Sequence, residues 1–163
     1  MDIIIRAFEK KDLPDLIEIW NEVVDQGIAF PQMEPLGEDG GDFFSDQDFT
    51  GVAEADGEIA GLYIIHPNNI GRCGHISNSS YAVKESFQGK GIGKKLVLHS
   101  LKTAEELGYR IHQFNAVVKT NTPAHMLYEK LGFHKIGEVP KGFLMKDGSY
   151  EDIVLYYYLL GEK

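Results

Sequence analysis

Apolar positions along the chain change their spacing from one segment to the next, and the changes mark elements. Residues 3–8, Ile3-Ile4-Ile5-Arg6-Ala7-Phe8, read as a first strand. Leu13, Leu16, Ile17, Trp20 and Val24 then recur with the 3, 1, 3, 4 spacing of one helix face, with Asp12 as N-cap and Gly27 as the end. From 28 to 48 the pattern dissolves into Pro31, Pro35, Gly37, Gly40, Gly41 and several carboxylates, which predicts a loop with a short helical turn near Phe43. Residues 50–54 and 58–65 flank Asp56-Gly57, a strong hairpin signal, and should pair antiparallel. Residues 75–83 read as a fourth strand. A helix from 91 to about 107 follows, with Ile92, Leu96, Ser100, Ala104 and Leu107 on one face and Gly108 as its stop. Residues 112–118 form a fifth strand, joined to the fourth by that helix and so parallel to it in a right-handed crossover.

Asn121 or Thr122 caps a further helix, Pro123 suits its first turn, and Gly132 closes it. The runs 133–137, 142–145 and 153–160 are strand-like, with a hairpin expected around Asp147-Gly148. The fold class is therefore mixed α/β: a mostly antiparallel sheet flanked by helices, with one parallel strand pair. A chain of 163 residues with 43% hydrophobic content and no internal repeat reads as a single domain, 1–163.

Charge narrows the partners. Sixteen basic against 25 acidic residues give a net charge of -9, which argues against nucleic acid and against an anionic membrane. Lys90, Lys94 and Lys95 stand out against that background. One cysteine, Cys73, permits no internal disulfide and fits a cytoplasmic location, and nothing in the sequence marks a base that would make it a nucleophile. The start Met1-Asp2-Ile3-Ile4-Ile5-Arg6 lacks signal-peptide features, and no apolar run reaches membrane-spanning length.

The chemistry concentrates at Gln88-Gly89-Lys90-Gly91-Ile92-Gly93-Lys94-Lys95, a glycine-rich turn from strand to helix. Such a turn offers unpaired N–H groups and the positive end of the helix dipole to an anion, and glycine lets a phosphate approach the backbone. A Walker A loop needs glycine at 88 and Ser or Thr at 95, and a dinucleotide fingerprint needs glycine at 94; Gln88, Lys95 and Lys94 exclude both. What remains, Gln-x-x-Gly-x-Gly after a strand, resembles the pyrophosphate loop of the GCN5-related N-acetyltransferases. About thirty residues on, Asn121-Thr122-Pro123-Ala124 followed by Tyr128 and Gly132-Phe133 resembles the same family's second coenzyme-contacting segment. The resemblance covers residues 3–160.

That resemblance implies acetyl-coenzyme A as co-substrate, no metal, and a fourth and fifth strand that splay so that the pantetheine arm lies between them. Gln88, Gly89, Lys90, Gly91, Ile92, Gly93 and Lys94 would hold the pyrophosphate, and Asn121 would contact the coenzyme as well as cap its helix. The backbone groups of Tyr81 and Val83 would bond the pantetheine amides and the thioester oxygen. Acetyl transfer needs a neutral nitrogen, a polarised carbonyl and a proton for the thiolate. Tyr128 stands where the family places its general acid, and a phenol of pKa about 10 can protonate a thiolate whose thiol titrates near about 8.5. On spacing alone a core place beside Ala124, Leu127 and Leu131 is the better reading, and the glycine loop reverses that preference.

No carboxylate occurs in His75-Ile76-Ser77-Asn78-Ser79-Ser80-Tyr81, where many relatives carry a base; His75, His112, ordered water or an acceptor that arrives already neutral remain open. Asn78, Asn115 and Asn121 resemble the polar set of a subgroup that includes the fungal proline-analogue acetyltransferases, which hold an acceptor's carboxylate. Phe30, Met33 and Phe44 would wall the acceptor pocket. The expected partner is a small-molecule amine, with a homodimer compatible. Acetylation of a protein or peptide, and a non-catalytic acyl-coenzyme A sensor, are the alternatives.

Overall fold

In the computed structural model, which describes residues 1–161, the elements are β1 (Ile3–Ala7), α1 (Leu13–Gln26), α2 (Gly41–Ser45), β2 (Phe49–Ala55), β3 (Glu58–Pro67), β4 (Ile76–Val83), α3 (Ile92–Glu106), β5 (Ile111–Val118), α4 (Thr122–Leu131), β6 (His134–Leu144) and β7 (Tyr150–Leu159). The strands form one sheet in the order β1-β2-β3-β4-β5-β7-β6. Every neighbouring pair is antiparallel except β4 and β5. Their parallel ladder consists of Ile76 opposite Ile111 and Ser77 opposite His112, and then ends. Beyond Ser77 the two strands diverge, so β4 runs on from Asn78 to Val83 bonded to β3 alone. The sequence-based mixed sheet with a splayed parallel pair is thus the observed one.

Each face of the sheet has its own core. Under α3 and α4 lie Ile92, Leu96, Val97, Tyr63, Phe114, Phe133 and Tyr156. Under α1 lie Leu16, Ile19, Trp20, Val23, Val24, Leu62, Ile64 and Ala82. Leu16, Trp20 and Val24 of the expected α1 face are buried, whereas Leu13 and Ile17 flank it, part-buried. On α3 the expected face holds from Ile92 to Ala104, but Leu107 is exposed because the helix ends before it.

The 28–48 segment is irregular as expected, yet it is fastened. Trp20 gathers Phe30, Phe43 and Phe44, with ring centroids 4.4, 4.8 and 6.0 Å away. Asn21 exchanges two hydrogen bonds with the backbone of Leu36, donating to its carbonyl at 2.9 Å and accepting from its N–H at 2.7 Å. Phe44, expected near the acceptor, is instead a core side chain, 1% exposed, because α2 turns it inward against Trp20. The runs expected as separate strands at 133–137 and 142–145 are one strand, β6. Its ladder slips between Val139 and Phe143, where Pro140 has no N–H to give and the Lys141 N–H bonds the Asp152 carboxylate at 2.9 Å.

Asp12 precedes α1 as expected, but its carboxylate does not cap that helix. It accepts from the Glu9 N–H at 2.7 Å and from both Nη atoms of Arg6, at 2.8 and 3.0 Å, while Arg6 Nε reaches Glu54 at 3.1 Å. The hydrogen-bonded Arg6 guanidinium holds the Asp12 carboxyl below the usual range although burial opposes it. A carboxylate whose folded pKa is depressed stabilises the fold above its unfolded value of about 3.9 and loses that contribution as pH falls through the folded value. Asp12→Ala is therefore expected to cost about 2–3 kcal/mol at pH 7, by taking the buried carboxylate away from the Arg6 guanidinium and leaving the Glu9 N–H unpaired, and to flatten the acid limb of stability against pH in urea titrations.

Candidate active site

The turn entering α3 is built by its glycines. Gly89 and Gly91 have φ of +77° and +82°, and Gly91 is the residue on which α3 begins. A Cβ added to either would meet no atom within 4 Å, so the loop borders open space. The first-turn N–H groups of Ile92, Gly93 and Lys94 have no intrahelical acceptor, and among the described residues those of Gly89 and Lys90 bond no carbonyl. The Ile92 side chain is buried in the core, which leaves its N–H as the part that faces the loop. Gln88, Lys94 and Lys95 are exposed, and Lys90 Nζ lies 5.4 Å over the Phe87 ring.

Where β4 and β5 part, a cleft of about 500 Å³ opens through the sheet. Its walls include Tyr81, Ser79, Asn78, Asn115, Asn121, Tyr128, Gly93 and Phe30. The sequence-predicted tyrosines and asparagines, far apart in the chain, thus meet in one space. Val83 stands outside the lining, beside Gly93, and the rest of the glycine loop lies beyond it. Met33 is exposed and borders a neighbouring groove between the segment after α1 and the β6–β7 hairpin, which shares Phe30, Pro31 and Gln32 with the cleft.

The two tyrosines are not equivalent. Tyr81 and its neighbours form a buried chain: Ser77 Oγ is 2.6 Å from His112 Nδ1, His112 Nε2 is 3.4 Å from the Tyr81 hydroxyl, and that hydroxyl is 2.6 Å from Ser100 Oγ. Ser100 donates to the Val97 carbonyl at 2.7 Å, so it accepts from Tyr81. Ser77 donates to the Ile111 carbonyl at 3.1 Å, so it accepts from His112 Nδ1–H, and the bare Nε2 of the neutral ring is turned toward the Tyr81 hydroxyl. Burial, helped by the nearby charge of His66, holds the His112 pKa down to about 3. The Tyr81 phenol is spoken for, and burial pushes its pKa up. What Tyr81 offers the cleft is its main chain, on the stretch of β4 that β5 leaves unpaired. Tyr128 has its ring packed on Phe114, Phe133 and Tyr156, at 4.5, 5.5 and 5.9 Å between centroids, while among the described residues its hydroxyl has no hydrogen-bond partner. Burial pushes this phenol up as well, so it stays protonated at neutral pH.

The amides converge on a residue the sequence did not single out. Asn68, just past β3, accepts from Asn78 Nδ2 at 2.9 Å and from Asn115 Nδ2 through the same Oδ1, and Gln113 donates to Asn115 Oδ1 at 2.9 Å. Asn121 accepts from the Ala124 N–H at 3.4 Å, so it caps α4 while lining the cleft. Ser79 Oγ, also in the lining, is buried with no hydrogen-bond partner among the described residues. His75 is remote: it borders a separate hollow with Asp48 and Tyr109 at the opposite end of β4. His66, also unmarked by the sequence, lines the cleft. Only the pairing of β3 with β4 reveals it, by setting His66 opposite Asn78.

An anion-ready glycine turn leading into a gap between parallel strands is the arrangement the sequence resemblance implied. The profile of the acetyltransferase (GNAT) family matches residues 13–133, most of the chain. The chain belongs to this family. As a GNAT acetyltransferase it is similar along its whole length to a GCN5-related N-acetyltransferase from Kribbella flavida, with a TM-score of 0.89 and 30% identity over 97% of this chain and 98% of that one. It shares its fold with a phosphinothricin acetyltransferase from Sinorhizobium meliloti solved with AcCoA, at a TM-score of 0.91 and 24% identity over 99% and 90% of the two chains. N-acetyltransferase aca1 of Schizosaccharomyces pombe is 36% identical over 61% of this chain; the match spans about half, 48%, of that relative's length.

In a GNAT N-acetyltransferase the reacting atoms must meet out of bulk water. Here the cleft supplies a protonated phenol, uncommitted main-chain groups and a wall of uncharged amides. Uncharged donors orient a polar group without burying a further charge. Among the described residues no helix is long and apolar enough to cross a membrane.

Proposed function

We propose that this acetyltransferase moves the acetyl group of acetyl-coenzyme A to the amine of a small molecule that bears a carboxylate, an amino acid or proline analogue being the acceptor class. The carrying observation is that Asn78 and Asn115, joined through Asn68, share one cleft with Tyr128. Each amide nitrogen gives Asn68 one N–H and keeps a second to donate, which suits a carboxylate.

The residues present fit the donor. Open space over Gly89 and Gly91 leaves room for a pyrophosphate against free N–H groups. The unpaired edge of β4 offers hydrogen bonds to an extended amide-containing arm, and the orphaned Ser79 hydroxyl faces the same gap. Gln88 through Lys94 would hold the phosphates, with Asn121 and the Val83 backbone along the arm and Tyr128 over the sulfur. The coenzyme supplies the activated acetyl thioester; a main-chain N–H of β4 would stabilise charge on its oxygen. Phe30, Pro31 and Gln32 wall the acceptor side, which suits a small acceptor.

The test is thiol release from acetyl-coenzyme A across proline analogues, other amino acids, polyamines, aminoglycosides and short peptides. Turnover confined to carboxylate-bearing amines is expected, with Asn68→Ala raising their KM about tenfold and leaving coenzyme affinity unchanged. Preference for peptides, or coenzyme binding without thiol release for any amine, would refute the reading.

A further inference from the structure

We infer that His66 is the base that takes the acceptor's proton. The inference rests on the acetyl-transfer reading above and names the group that the fourth strand lacks.

The proton inventory of the cleft isolates this residue. Among the described residues its lining contains no carboxylate, lysine or arginine, and its titratable members are His66, Tyr81 and Tyr128. Tyr81 is tied to Ser100 and His112, and Tyr128 carries a proton that burial keeps in place. His75 is at the far end of β4, and His112 is fully buried with its ring nitrogens turned to Ser77 and Tyr81. Histidine is the side chain whose ordinary titration lies near neutrality.

The tautomer follows from one contact. His66 Nδ1 is 3.0 Å from the Pro67 carbonyl, and a carbonyl oxygen can only accept. Nδ1 therefore carries the hydrogen in the neutral ring, which leaves a lone pair on Nε2. The ring is half-buried, so it is held without being sealed away.

Its position suits the acceptor. Directly opposed residues of an antiparallel pair share a face, so His66 lies on the same side of the sheet as Asn78. Ser77, next to Asn78, points the other way to His112, and Ile64, two residues before His66, belongs to the core under α1. Tyr128 packs with the core under α3 and α4. Base and acid thus stand on opposite faces of the sheet, with the cleft between them. His66 is paired with Asn78 of β4 and shares the cleft with Phe30 and Gln32 from the segment after α1. The titratable groups around it are His112 behind β4 and the two cleft tyrosines.

The protons balance. An acceptor ammonium gives one proton to His66 Nε2, and the neutral nitrogen forms its bond to the thioester carbon. The carbon–sulfur bond breaks, its electron pair leaves on sulfur, and the Tyr128 hydroxyl protonates the thiolate. The nitrogen's next proton restores Tyr128, and His66 releases its own to solvent. One proton appears in solution for each thiol formed.

Two measurements test this. Imidazole 15N–1H correlation spectra of the unliganded protein, with His66 assigned from the His66→Gln spectrum, report the tautomer above its titration. Protonated Nδ1 with bare Nε2 is expected, and the Nε2–H form overturns the inference whatever the acceptor proves to be. With the acceptor that the thiol-release panel identifies, His66→Gln should lower kcat/KM about 100-fold at pH 7 and move the acidic limb of the pH profile up to the titration of the acceptor's own amine, the loss shrinking at alkaline pH where the free amine needs no base. Coenzyme affinity should not change. A variant that keeps the rate and the limb overturns the inference. Silence of the wild-type protein across the panel counts instead against the acetyl-transfer reading, and the tautomer still decides the state of His66.

Discussion

Tyr128→Phe is expected to cut kcat about 100-fold or more while leaving the dissociation constant for acetyl-coenzyme A within about twofold. The substitution removes one oxygen and keeps the ring, whose packing on Phe114, Phe133 and Tyr156 positions this part of α4. Because the hydroxyl bonds no other described residue, its loss strands no partner, and stability should hold. A phenol raised by burial would be a poor acid toward a solvated thiolate. In the cleft the leaving thiolate is desolvated by the same walls, so its own proton affinity rises in parallel and the transfer stays close to matched. Single-turnover thiol release, with coenzyme affinity from calorimetry, separates the effects. An unchanged rate would remove Tyr128 from the chemistry and leave it a core residue.

Gly91→Ala should act on binding instead. At φ of +82° an L side chain is strained by roughly 1–2 kcal/mol, which corresponds to a few degrees of melting temperature in a chain of this size. The added methyl would touch no protein atom, so the fold loses nothing more. The space it fills is the space a pyrophosphate would need against the N–H groups of Gly91 to Lys94, and the dissociation constant for the coenzyme should rise about 100-fold. A melting scan beside a coenzyme titration distinguishes the two consequences. A variant that melts lower but binds as tightly would show that the phosphates rest elsewhere.

The features legible in the sequence are those that local chemistry specifies. Asp56-Gly57 turns the β2–β3 hairpin with both residues at positive φ, and Gly27, Gly108 and Gly132 stand in left-handed conformations at helix ends. The glycine turn before α3 and the capping Asn121 could be read because a few neighbouring residues suffice to define them. What stayed hidden depends on pairing across the sheet. His66 and Asn68 end a strand with no periodicity of their own, and they matter because β3 meets β4 in the register that places His66 opposite Asn78. Phe44 looked like a loop residue, since nothing local tells that Trp20 lies beneath it. Likewise Asp12 sat where a cap belongs, and the long-range Arg6 pair reassigned its carboxylate.

The parting of β4 from β5 also bears on how such a protein can diverge. The wall on the α1 side is made by residues 29–32 and the end of β3, whereas the glycine loop belongs to α3 and the phenol to α4, across the sheet. Substitutions in the first set can reshape which amine is admitted without disturbing the second. A lineage can therefore exchange one acceptor for another through a handful of changes on a single side, keeping its donor chemistry intact throughout.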